Sequence, residues 1–242
     1  MLLLAHGSRD PRAAAATRAL AQAVAEARPW LSVRHAFLEL SQPLAGPVLR
    51  QLAAAGPPDV VVAPLLLTEA YHSRVDVPGV LERAAQQWPG LAARPAGVLG
   101  PDPRLLDAAL RRLTATIAPA ELDAVVLAAA GSSAPDARAS VRGVAQALSV
   151  RLGRPVSAGF ASAAPSVAEA MSTLRASGAE RIGVASYFLA PGLLHDRVIA
   201  AAQDAGAAAV GDPMGAAPEL VDVVLSRYDA VSASEAFDRK AA

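Results

Sequence analysis

The 242-residue chain carries 22 basic and 22 acidic residues, a formal charge of zero, with 53% of its residues hydrophobic and 18% charged. That much apolar mass suits a chain burying two ordinary cores, and the balanced charge leaves no footprint for nucleic acid. The absence of cysteine excludes disulfides, thiolate zinc sites and cysteine-ligated clusters. No apolar stretch reaches bilayer length, and the first apolar run, from Leu2, has no basic segment before it, so it does not read as a signal peptide. The expectation is a cytoplasmic protein with no membrane partner. Lys240 is the only lysine, so any bound anion must be held by arginine, backbone N–H groups or hydroxyls.

In chain order, apolar runs at 1–5, 32–40 and 59–67, with a weaker one at 91–98, read as strands. Helical periodicity fills the gaps at 12–27, 43–55, 78–88 and 102–117. The pattern then begins again, with strands at 124–130, 155–161, 181–189 and 207–211 and helices at 136–151, 165–177, 192–205 and 218–229. From about Ser232 the tail is polar enough to fray. Runs such as "VVVAPLLL" do not alternate, which suits strands covered on both faces of a parallel sheet. Strand and helix alternating at this spacing imply right-handed βαβ units.

The second series repeats the first. At a constant offset, Leu3, Gly7, Ser8, Pro11, Arg18 and Gln22 meet Leu127, Gly131, Ser132, Pro135, Arg142 and Gln146. Phe37/Phe160, Pro43/Pro165 and Gly56/Gly178 keep the order, and "YHSRV" (71–75) meets "LHDRV" (194–198). The fold class is therefore α/β: two tandem flavodoxin-like, doubly wound domains with four-stranded parallel sheets, 1–119 and 120–242, about a pseudo-two-fold axis.

Open α/β sheets bind ligands beyond the carboxyl ends of their strands. In the first half, His6 follows strand one, Glu39 ends strand two and His72 follows strand three, each step spanning 33 residues. Two imidazoles and a carboxylate suit Fe²⁺, Co²⁺, Ni²⁺ or Zn²⁺ better than Mg²⁺ or Ca²⁺. Imidazole ligates only when neutral, so metal affinity should fall on acidification. Taken singly, a loop histidine is more often a capping or surface group, and a glutamate at a strand end is usually solvated. In the second half, Ala130 stands where His6 would be, and Ser162 where Glu39 would be. His195 survives there, read as a packing or substrate-edge histidine, and His35 inside its strand reads as structural. The second half is expected to bind no catalytic metal and to form a wall of the cleft.

"HGSRDP", "FLELSQP" and "VVVAPLLL…H…DVP", in that order and with the duplication, resemble the sirohydrochlorin chelatases, the class II chelatases, in their long, internally duplicated form. The resemblance covers essentially the whole chain. It implies insertion of a divalent metal into sirohydrochlorin, Fe²⁺ favoured for sirohaem, with Co²⁺ insertion toward cobalamin as the alternative and a non-enzymatic tetrapyrrole or metal carrier as the reading of another class. His6 would be ligand and proton acceptor, His72 the second ligand, and Glu39 a third or assisting carboxylate. Gln42 and the loop Leu67, Thr68, Glu69, Ala70 and Tyr71 would line the macrocycle pocket. Ser8, Arg9 and Arg74, with Arg197 in the second half, would meet the substrate's carboxylates, helped by helix N-termini after Gly7-Ser8 and Gly131-Ser132. Two departures concern the pocket: "TEAYH" lacks the usual glycine before the second histidine, and Arg74 replaces a common lysine.

The chemistry is consistent with this reading. Metal entry displaces pyrrole protons and strips water from the cation, and neutral imidazole can both hand over a metal and take a proton. No GxxxxGK loop is present, so no ATP use is expected, and no cofactor is permanently bound; the metal is a substrate. A histidine phosphatase would want arginine just before the histidine, where Ala5 stands. The expected state is a monomer.

Overall fold

All the strands expected from the apolar runs form, and all pair in parallel. The computed structural model describes residues 1–56, 59–69 and 75–241. The first sheet contains β1 (Leu2–Ala5), β2 (Arg34–Phe37), β3 (Asp59–Pro64) and β4 (Ala92–Pro95), in the order β2-β1-β3-β4. The second contains β5 (Ala124–Ala129), β6 (Val156–Phe160), β7 (Ile182–Ser186) and β8 (Ala209–Val210), in the order β6-β5-β7-β8. Around them run α1 (Pro11–Ala27), α2 (Ala45–Ala54), α3 (Val77–Gln87), α4 (Pro103–Thr114), α5 (Pro135–Leu152), α6 (Val167–Ala176), α7 (Leu193–Asp204) and α8 (Pro218–Ala241).

The central strands explain the unbroken apolar runs. Leu3 of β1 pairs with His35 on one side and Ala63 on the other, and Leu2, Leu3 and Leu4 have almost no exposed surface. A strand flanked by neighbours and covered on both faces has no polar face to display. Helix starts follow local chemistry. Asp10 accepts the Arg12 N–H at 2.9 Å ahead of Pro11, and Asp102 accepts the Arg104 N–H at 3.0 Å ahead of Pro103. Ser166 and Glu169 close a reciprocal capping box at α6.

β2, β3, β4 and β7 each stop three residues short of the expected end, and two of the differing boundaries bear on the site and the packing. β2 ends at Phe37, not at residue 40, because the Phe37 N–H donates to Pro43 O at 2.9 Å and the chain turns back on itself. Glu39 therefore lies on the β2–α2 loop. At the other end of the chain, α8 continues through the polar tail to Ala241 where fraying was expected. Its Ala, Glu, Arg and Lys residues are good helix formers despite their polarity.

The compact units are not cut where the sequence repeats. The sequence repeat is expected to divide near Pro119, whereas one compact unit comprises residues 1–100 with 220–242 and the other residues 101–219. Within the first unit, Arg227 of α8 donates to the carbonyls of Val98 and Leu99, both at 2.9 Å, and Asp229 pairs with Arg28 beyond the end of α1. Within the second, α4 packs on β7: Leu113 lies so close to Gly183 and Gly211 that a Cβ at either glycine would crowd it. The helix after β4 thus serves the second sheet, and most of the helix after β8 serves the first. Each unit has its own apolar core, one built around Leu2, Leu4, Val60, Val62 and Leu49, the other around Val126, Ile182, Val184, Met171 and Val198.

Candidate functional site

In the order β2-β1-β3-β4, successive connections leave β1 in opposite directions, so a crevice opens beyond the carboxyl ends of β1 and β3. His6 follows β1 directly. Its backbone is fixed by the Glu39 N–H, which donates to His6 O at 3.0 Å, while the Leu38 N–H donates to Ala5 O at 2.9 Å. These two bonds carry the β1–β2 pairing past the end of the sheet and lay the loops at His6 and Glu39 side by side.

Side chains meet where the backbones do. His6 Nδ1 lies 3.5 Å from Glu39 Oε1, and their side chains are 36% and 59% exposed, so the pair faces solvent. A carboxylate this near Nδ1 would, on closing to hydrogen-bond distance, orient the ring and favour the tautomer whose Nε2 can accept a proton or a metal. Gly7 makes this approach possible. Its φ is +102°, and a Cβ there would stand 1.7 Å from Glu39 O. Only glycine fits both the conformation and the contact.

The remaining first-half residues spread around this pair. The Ser8 hydroxyl accepts the Asp10 N–H at 3.1 Å and so shapes the loop, and Arg9 is exposed. Gln42 is exposed and accepts the Leu44 N–H at 3.3 Å. Leu67 and Thr68 are half-buried beyond β3, and Glu69 is exposed. Ala70, Tyr71, His72 and Arg74 lie outside the described residues, so the structure speaks to one of the two expected imidazoles. Among the described residues no group of three or more His, Asp or Glu side chains forms a metal cluster. The α1 N-terminus is not an open anion site as expected. Asp10 caps it, and the Arg12 guanidinium bound to Asp10 holds that carboxyl below the usual range.

The second copy has the same backbone and different chemistry. The Ser162 N–H donates to Ala130 O at 3.0 Å, as Glu39 does to His6, and the Ser162 hydroxyl donates to the same carbonyl at 2.7 Å. His195 is 3% exposed, edge-on to Phe188, with Nε2 3.0 Å from Ser186 Oγ. Because the Ser186 hydroxyl donates to Gly211 O at 2.5 Å, it receives the proton on Nε2. His195 is a packing histidine. His35 is structural as well: it is half-buried and edge-on to Phe37, and burial, with nearby Arg18, pushes its pKa down. Arg197 is exposed on α7.

Comparison with known proteins gives the family and the fold. The CbiX family model matches residues 1–116 and again 124–231. A sirohydrochlorin cobaltochelatase of Priestia megaterium is 28% identical over 82% of this chain and 66% of its own length. A sirohydrochlorin ferrochelatase of Bacillus subtilis (strain 168) is 30% identical over 61% of this chain and 57% of its own. The matches thus span less than two thirds of these curated relatives. Among solved structures, SirB from Bacillus subtilis with Fe³⁺ superposes with a TM-score of 0.78 and 24% identity over 94% of both chains, a likeness of fold. No helix among the described residues is long and apolar enough to cross a membrane.

Proposed function

This chain belongs to the CbiX family, and from that premise we propose that it inserts a divalent metal, Fe²⁺ before Co²⁺, into sirohydrochlorin without ATP. The observation that carries the reading is the solvent-facing His6–Glu39 pair at the switch point of the first sheet, with Ala130 and Ser162 in its place in the second. Relatives named for iron and for cobalt both resemble this chain, and imidazole with carboxylate holds either ion, so supply decides between them.

His6 is assigned as the group that holds the incoming metal and accepts a pyrrole proton, with Glu39 orienting its ring or joining as a ligand and His72 as the second imidazole. Ser8, Arg9, Gln42, Leu67 to Tyr71 and Arg74 belong to the macrocycle's surroundings, the arginines facing its carboxylates. Two protons leave the macrocycle as the metal enters. An imidazole placed there can take one and pass it on to solvent. The protein is assigned to the cytoplasm, as a monomer.

The test is anaerobic insertion of Fe²⁺ and Co²⁺ into sirohydrochlorin, followed by the macrocycle's absorption. His6→Ala is expected to abolish insertion and to leave the thermal unfolding midpoint unchanged, since a solvent-facing imidazole contributes little packing. Wild-type protein that binds the macrocycle without speeding metal entry above the solution rate would make it a carrier. His6→Ala at the wild-type rate would remove the active site from the first half.

A further inference from the structure

We propose that Ser41 is a positioning residue: its hydroxyl clamps the His6 loop to the Glu39 loop and holds the imidazole–carboxylate pair in register. The proposal rests on the chelatase reading of that pair. The Ser8 N–H donates to Ser41 Oγ at 3.0 Å, and the same hydroxyl donates to Ser8 O at 2.8 Å. One side chain 33 residues away thus satisfies both backbone groups of the residue two places beyond His6.

The loop that delivers Ser41 is built for the purpose. Between the matched positions Glu39 and Pro43 the first copy has Leu40, Ser41 and Gln42; between Ser162 and Pro165 the second has only Ala163 and Ala164. The extra residue is absorbed at Leu40, whose φ of +60° makes it the one non-glycine with positive φ among the described residues. There the Ser41 N–H closes a tight turn on Glu39 O at 2.7 Å. A leucine held in that conformation is strained, and such strain persists where the surroundings over-determine it.

The second copy supplies an internal control. Ser132 matches Ser8, and its hydroxyl accepts the Ala134 N–H at 3.1 Å just as Ser8 accepts from Asp10. Yet Ser132 O is taken by the guanidinium of Arg138, on the helix that follows in the same loop. In the copy with no imidazole and no carboxylate, the second loop's side-chain tie is made by Ser162 at Ala130 O, and Ser132 is held by its own helix. In the copy that keeps both, the second loop's Ser41 holds Ser8 itself.

Supporting groups of this kind typically govern metal affinity or rate by about 10- to 100-fold. Ser41→Ala is therefore expected to lower kcat for insertion by about tenfold or more, with KM for sirohydrochlorin within about twofold, and to raise the apparent Kd for Co²⁺ by calorimetry by about tenfold. Ser41→Thr keeps the hydroxyl and should restore both. Arg138→Ala, breaking the corresponding tie in the second copy, should leave both unchanged. In the wild type, the Ser8 amide should exchange with solvent more slowly than an open-loop amide, a readout that does not depend on Ser41→Ala folding. Ser41→Ala at the wild-type rate beside an inactive His6→Ala overturns the clamp alone. An unprotected Ser8 amide, or a loss that Ser41→Thr does not rescue, overturns it too. His6→Ala at the wild-type rate removes the active site from the first half, and the catalytic role of the clamp with it.

Discussion

Gly7 and Gly131 occupy matched positions with positive φ, +102° and +89°, yet they face different neighbours. A Cβ at Gly7 would overlap the backbone carbonyl of Glu39 at 1.7 Å, whereas at Gly131 the nearest atom is the Ser162 hydroxyl at 3.0 Å, a side-chain end that can rotate away. Gly131→Ala should thus lose the conformational cost of about 1–2 kcal/mol and meet mild crowding from Ala163, whose backbone N would lie at 3.2 Å. Gly7→Ala adds a backbone collision, and about 3–4 kcal/mol is expected in urea denaturation. Gly7→Ala should also lower metal insertion, because relief of the overlap pushes Glu39 away from His6. Equal losses for the two variants would mean that the close approach at Gly7 is not what fixes the loop. The glycine, the histidine and the carboxylate were all legible in the sequence. The approach of Gly7 to Glu39 O was not, since it depends on two loops that meet only in the folded sheet.

At the scale of elements, α8 is held to the first unit by an ion pair with a pH signature. The Arg28 guanidinium, bonded to Asp229 with one contact at 2.5 Å, holds that carboxyl below its usual range. A carboxyl depressed by folding contributes its full stability above the unfolded value of about 4 and loses it as pH falls through the lower folded value. Stability should therefore fall with acidification below about pH 4, and Asp229→Asn should make that limb shallower while lowering stability at pH 7. Thermal melts of both proteins from pH 7 to pH 3 check this; parallel curves would show that the pair adds nothing. Asp123 acts in the same direction elsewhere, its carboxylate held low by the N–H groups of Arg181 and Glu180 at the start of β7.

For the whole molecule, the repeat in the sequence and the packing in space give different cuts. A fragment 1–119 would keep the first sheet without α8, and α4 without β7. Leu220, Val221, Val223, Val224 and Leu225 of α8 are buried, and each is worth about 1.5–3 kcal/mol. Together they rival the ~5–15 kcal/mol that separates a typical domain from its unfolded state. The fragment is expected to show no cooperative melt by circular dichroism under conditions where the intact chain does. A cooperative melt near the intact chain's midpoint would show that α8 is dispensable to the first sheet.

By itself, the sequence determined the strands, the helices, the duplication and the residue types at the sheet edge. These follow from periodicity, capping and composition within short windows. The end of β2 at Phe37, the strained turn at Leu40, the clamp by Ser41, the burial of His195 and the assignment of α4 and α8 to their sheets were decided only in three dimensions. Each rests on hydrogen bonds or apolar contacts between residues far apart in the chain, where no local pattern records the partner. The exchange of helices is the plainest case. Either sheet can cover an amphipathic helix, and which one does so depends on the path of the folded chain.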